Sequence, residues 1–91
     1  MQTIYKYPLH ILDRQEVPLP KGAQILSIQM QNGYPCLWAL CNPDKPVSPR
    51  TLYMVGTGHP FNMDPSVIRF IDTVQMAGGS LVFHLFEYIG F

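Results

Sequence analysis

The chain has 91 residues, 47% of them hydrophobic and 13% charged, and its six basic and six acidic side chains cancel. That length suits a single domain over residues 1–91, and the apolar share argues against a disordered tail. The scattered placement of Lys6, Arg14, Lys21, Lys45, Arg50 and Arg69 argues against a duplex nucleic-acid binder, and no apolar run reaches the length of a membrane span.

The first ten residues, MQTIYKYPLH, lack the uninterrupted apolar stretch of a signal peptide. Thr3 to Leu9 alternates, with Tyr5, Tyr7 and Leu9 on one face and Ile4, Lys6 and Pro8 on the other, and Pro8 marks it as an edge strand. Leu12 to Gln15 reads as a turn, Glu16 to Leu19 as a short second strand closed by Pro20-Lys21-Gly22. Gln24 to Gln31 alternates cleanly, placing Leu26, Ile28 and Met30 on one face and Ser27, Gln29 and Gln31 on the other. Asn32-Gly33 then supplies a two-residue hairpin turn. The predicted register sets Gln31 against Tyr34, Met30 against Pro35, Ile28 against Leu37 and Leu26 against Ala39, with Gln29, Ser27 and Ile25 meeting Cys36, Trp38 and Leu40.

Cys36 to Cys41 is apolar on both faces, the mark of a strand covered on both sides. Asn42 to Pro49 reads as a proline-rich loop, and Arg50 to Val55 as another strand leading into the loop Gly56-Thr57-Gly58-His59-Pro60. Asp64 and Pro65 suit the N-cap and first position of one short helical turn. Val67 to Met76 is near-alternating, with Ile68, Phe70, Val74 and Met76 sharing a face interrupted by Asp72. Gly78-Gly79 makes a second tight turn into a final strand, Leu81 to Tyr88, in a register that pairs Thr73 with His84 and Ile71 with Phe86. Six or seven short strands and no helical period define an all-β chain, a small antiparallel β-sandwich or partly open barrel.

Cys36 and Cys41 are five apart in one strand, so they fall on opposite faces and about 16 Å apart, beyond the Cα separation of about 7 Å that a disulfide allows. They are expected to be reduced, small buried hydrophobes of a cytosolic protein.

No pair of side chains stands at a diagnostic catalytic or metal-binding spacing, so neither catalytic nor metal-ligating residues are assigned, and no cofactor is expected. Glu87 follows His84 by three and so faces away from it on a strand. The one constellation rich in backbone donors is the loop after Val55. Gly56 and Gly58 let the main chain approach a ligand, Thr57 adds a hydroxyl and His59 a ring, and Arg50 and Arg69 flank it in sequence, a set suited to a small anion. The alternative is a plain strand-exit turn, since the lysine and spacing of a nucleotide-binding P-loop are absent. Five tyrosines, five phenylalanines including Phe91, and one tryptophan are more in keeping with a core than with a ligand platform. Trp38 stands apart. It shares a half-polar face with Ser27, Cys36 and Leu40, and with Tyr34 it is a candidate interface.

The blocks IYKYPL, PCLWAL, GTGHP and LVFHLFE, in that order over nearly the whole chain, resemble a family of short proteins from tailed phages and prophages. The resemblance brings no catalytic residues with it. It implies a viral accessory protein acting in the cytoplasm of an infected bacterium. Two readings suit such a protein. One is a homo-oligomer that sequesters a small anionic, nucleotide-type ligand against host defence. The other is an inhibitor or adaptor that docks a host protein through a strand edge or the Trp38 face. A virion component is a third. Zero net charge and many apolar residues favour self-association as a dimer or higher state.

Overall fold

A computed structural model describes residues 1–90; Phe91 lies outside them. Seven strands form: β1 (Thr3–Pro8), β2 (Arg14–Pro20), β3 (Gln24–Gln31), β4 (Tyr34–Cys41), β5 (Val47–Gly56), β6 (Ile68–Met76) and β7 (Leu81–Tyr88). They build two antiparallel sheets, a three-stranded β1-β4-β3 and a four-stranded β2-β5-β7-β6. The sheets face each other as a thin sandwich with extents of 40 × 33 × 16 Å. The expected all-β architecture is therefore correct, and among the described residues helix is limited to single 3₁₀ turns. Among the described residues no helix is long and apolar enough to cross a membrane.

The core is made where the inward positions of the sheets meet. Ile28, Leu37, Ala39 and Cys41 come from one sheet, Val17, Leu19, Leu52, Met54, Val74 and Leu85 from the other, and Leu9 and Ala23 from the connections. Leu19, Leu37, Ala39 and Leu85 are wholly shielded from solvent. Both cysteines are buried and unpaired.

The Asn32-Gly33 hairpin forms in the expected register from Gln31–Tyr34 down to Ser27–Trp38. Beyond that point the prediction is overturned. Leu26 is bulged out, so Ile25, not Leu26, pairs with Ala39 and Gln24, not Ile25, pairs with Leu40. Ile25 packs against the core while Leu26 stays 44% exposed. The second hairpin behaves alike. Thr73 pairs with His84 as expected, but a bulge at Ile71 sets Phe70, not Ile71, against Phe86. One extra residue in a strand inverts the faces on either side of it. Phe70 is thus exposed while Val74 is buried, although an unbroken strand would put them on one face.

The two bulged strands, β3 and β6, run beside each other at one side of the sandwich. The Ile71 bulge brings the Asp72 carboxylate within reach of the other sheet, where Oδ2 accepts the Ile28 N–H at 3.2 Å. A side chain thereby closes a seam that no backbone ladder closes.

Two further expectations change. β2 begins at Arg14, two residues before the predicted start, and the supposed turn residue Gln15 is buried. Its amide holds the preceding connection, Oε1 accepting the His10 N–H at 3.0 Å and Nε2 donating to the His10 carbonyl at 2.8 Å. β5 begins at Val47, inside the proline-rich stretch read as loop. Pro49 fits there because its partner in β2 is Pro18, so neither residue is asked to donate. The predicted short turn is present at Pro65–Val67, with Asp64 Oδ1 accepting the Ser66 N–H at 2.9 Å.

Candidate anion-binding cleft

Inward positions run out of cover at one end of the sandwich. On β5 the buried Leu52 is followed toward that end by Arg50, and on β7 the buried Leu85 is followed by Glu87. Glu87 pairs with Leu52 on one side and with Arg69 of β6 on the other. These three strands therefore set two guanidinium groups about one carboxylate.

Glu87 is only 3% exposed. Its Oε2 accepts from Arg50 Nε in a short contact, and its Oε1 accepts from Arg50 Nη2 at 3.1 Å and from Arg69 Nη2 at 2.9 Å. Arg50 also donates from Nη1 to the Ala23 carbonyl at 2.8 Å, which ties it to the connection that leads from β2 into β3. Burial alone pushes the Glu87 carboxyl up. The hydrogen bonds and charges of Arg50 and Arg69 outweigh it and hold the group below the ordinary glutamate value. The Arg69 side chain is 61% exposed and makes a single bond to Glu87, so most of its donors remain free among the described residues. The three side chains line a cleft of about 300 Å³ together with Ala23, Gln24, Ile25, Phe70 and Ile71.

The loop Gly56 to His59 is elsewhere. Arg50 lies six residues back along β5, roughly 20 Å at strand rise, and the structure does not bring Arg50 or Arg69 to the loop. Two of the loop's N–H groups are also engaged. Thr57 N–H bonds the Val82 carbonyl at 3.2 Å and His59 N–H the Gly56 carbonyl at 3.1 Å. Thr57 Oγ1 lies 2.6 Å from His84 Nε2, whose other nitrogen, Nδ1, lies 2.9 Å from Thr73 Oγ1. Gly58 has φ +83°, as a tight turn requires, and the His59 ring sits so close over Gly56 that a Cβ there would meet Nδ1 at 3.1 Å. The neighbouring cleft of about 460 Å³ is lined by Asp13, Tyr53, His59 and Phe61 among others, with no lysine or arginine. Physically this segment has the properties of a strand-exit turn braced by His84.

The segment after that turn covers sheet. Tyr53, Phe86 and Tyr88 alternate with the buried residues of β5 and β7 and so face outward. Phe61 lies against Tyr53 and Phe86 with ring centroids 6.0 and 5.2 Å away, and Phe70 meets Phe86 at 5.6 Å. The expectation that the aromatic residues serve mainly as core fails for these rings, which form an outer cluster instead. Trp38 is half-buried on the outer face of the other sheet, between Ser27 and Lys6, and Tyr34 is 64% exposed at the hairpin. Trp38 shares its expected face.

Sequence reasoning missed Glu87 as a site residue. Its only signal was a carboxylate in an otherwise apolar final strand, at an inward position where a lone charge is costly unless paired.

A two-sheet antiparallel sandwich in which two partly open arginines hold one buried carboxylate is the class these observations define. The chain belongs to the family described as a domain of unknown function (DUF7352), whose model matches residues 1–90. No curated protein and no solved structure matches it.

Proposed function

We propose that this domain is a non-catalytic binding module whose ligand carries a small anionic group, received by Arg50 and Arg69 in the cleft beside Glu87. One observation carries the reading: two guanidinium groups share one buried carboxylate, which leaves a positive charge in excess at the cleft. Arginines fixed by a carboxylate are pre-organised to receive a phosphate or carboxylate in bidentate fashion. Phe70 lines the same cleft and is 55% exposed. Its ring turns to the outer face against Phe86, so the charge of the two arginines alone favours a phosphate-bearing, nucleotide-type ligand as the preferred class. In the setting implied by the resemblance to phage proteins, the cytoplasm of an infected bacterium, such a module sequesters a host nucleotide.

Calorimetric titration with inorganic phosphate, adenosine monophosphate and adenosine at low salt tests this. Binding of the monophosphate is expected to weaken at least tenfold in Arg69→Gln and to be unchanged in His59→Ala. No binding of any of the three by the native protein, or equal binding by Arg69→Gln, refutes the reading. Loss on His59→Ala alone would return the site to the loop.

A second reading, docking of a host protein, is favoured by the outer cluster of Tyr53, Phe61, Phe70, Phe86 and Tyr88, a contiguous aromatic surface of the kind that anchors interfaces.

A further inference from the structure

We propose that β1 is an assembly edge, pairing antiparallel with β1 of a second copy of this chain. The inference is independent of the anion reading. It comes from the four edges of the two sheets. The β3 and β6 edges lie against each other, and the outward Ile28 N–H of β3 is taken by Asp72. β2 is blocked by composition. Pro18 faces Pro49, and two residues without N–H can only be a non-hydrogen-bonded pair, so Arg14, Glu16, Pro18 and Pro20 are the residues whose backbone groups point outward. Two of those have no donor to offer.

β1 has neither protection along most of its length. Leu9 N–H bonds the Pro35 carbonyl at 2.9 Å, so by alternation Thr3, Tyr5, Tyr7 and Leu9 turn toward β4 while Ile4, Lys6 and Pro8 turn out. Ile4 and Lys6 each present an N–H and a carbonyl to solvent. Edge lysines usually guard such a strand. Here Lys6 is drawn back across the sheet, its Nζ donating to Gln31 Oε1 at 2.6 Å. Apolar side chains are left open on both faces of the edge: Ile4 is 55% exposed on the outer face, and Tyr5 is 44% exposed although it points to the core side.

A second copy fits this edge because the edge is self-complementary. With the two-fold axis at Tyr5, Ile4 of each copy exchanges backbone hydrogen bonds with Lys6 of the other, and the two tyrosines meet across the axis. The lysines then stand apart, each opposite an isoleucine, whereas a register centred on Lys6 would set like charges face to face. Zero net charge adds no long-range repulsion. A six-residue strand buries little area, so the dimer is weak, with a dissociation constant on the order of micromolar to tens of micromolar.

Sedimentation velocity over a concentration series reads the outcome. The native chain is expected to be dimeric at about 100 µM. Ile4→Pro and Lys6→Pro each delete an outward N–H without touching the bonds to β4, and each is expected to weaken dimerisation at least tenfold while circular dichroism stays native. Tyr5→Glu, which sets two carboxylates against each other at the axis, provides the same readout should a proline variant fail to fold. Lys6→Gln is expected to remain dimeric. A native chain that stays monomeric, dimers that survive the proline and glutamate variants, or dimers lost on Phe70→Glu instead would each overturn the proposal.

Discussion

Replacing Glu87 by Gln is the sharpest probe of how this fold treats its buried charge. The substitution keeps the volume but removes the charge and turns one acceptor oxygen into an amide donor that confronts Arg50. Charge-assisted hydrogen bonds contribute about 1.5–3 kcal/mol each, and breaking a fully buried ion pair costs about 3–5 kcal/mol. The Glu87 side chain is 4% exposed, but its partners differ: Arg50 is 21% exposed and Arg69 61%. Water can therefore recover most of Arg69 and part of Arg50, which lowers the expected loss to about 2–4 kcal/mol, borne mainly by Arg50. For a domain of this size that is a fall in Tm of roughly 10–25 °C.

The same substitution carries a pH test. The Glu87 carboxyl is held below its ordinary value in the folded protein, so its stabilising contribution is fully present above the unfolded-state value and disappears as pH falls through the folded one. Urea unfolding of both proteins at neutral pH and in a descending series is the assay. The gap between them is expected to be full at neutral pH and to narrow only in the acid range, below the ordinary glutamate value. A gap smaller than about 1 kcal/mol at neutral pH, or one that does not narrow with acid, would show that Glu87 is not the ionised anchor of the two arginines.

Two further outcomes test the devices that set register. Gly33 adopts φ +83° after Asn32 at φ 52°, so Gly33→Ala is expected to cost about 1–2 kcal/mol in urea unfolding through left-handed strain alone, with open space around the new methyl. Asp72→Ala removes the acceptor for the Ile28 N–H at the seam, and exchange of that amide with deuterium is expected to accelerate more than that of neighbouring amides in β3.

Much of the fold was legible because its signals are local. Asn32-Gly33 dictates both a turn and the pairing next to it, and the alternation of β3 and the apolar run of β4 identify strands without outside help. The bulges were not legible. Leu26 and Ile71 are ordinary strand formers, and nothing in their chemistry distinguishes a bulged residue from a paired one; that choice is made by what the neighbouring faces must bury. Ile25 has to reach the core, and Asp72 has to reach Ile28. The site was half legible for a related reason. Arg50 and Arg69 could be singled out as cations, but their common partner, Glu87, is 37 residues from one and 18 from the other. The loop drew attention because its glycines are close in sequence. Thr57 turns inward there because Val82 and His84, more than twenty residues on, are there to meet its N–H and its hydroxyl.

The ionised cluster is not what stability alone would select at this end of the sandwich. Replacing a buried ion pair by packed apolar side chains is often neutral or stabilising, since desolvation of both charges is then avoided. The neighbouring inward side chains of β5 and β7 follow that logic: Met54 and Leu85, and Leu52 beside Glu87, are apolar and buried. Arg50, Arg69 and Glu87 depart from it, and they do so with unequal charges, two positive against one negative. A purely structural cluster would gain from matching them, for instance by a second carboxylate at the exposed Gln24, which lines the same cleft. An excess cation left facing a cavity favours an anion that arrives from outside, and Glu87 then serves to hold the arginines in place before it arrives.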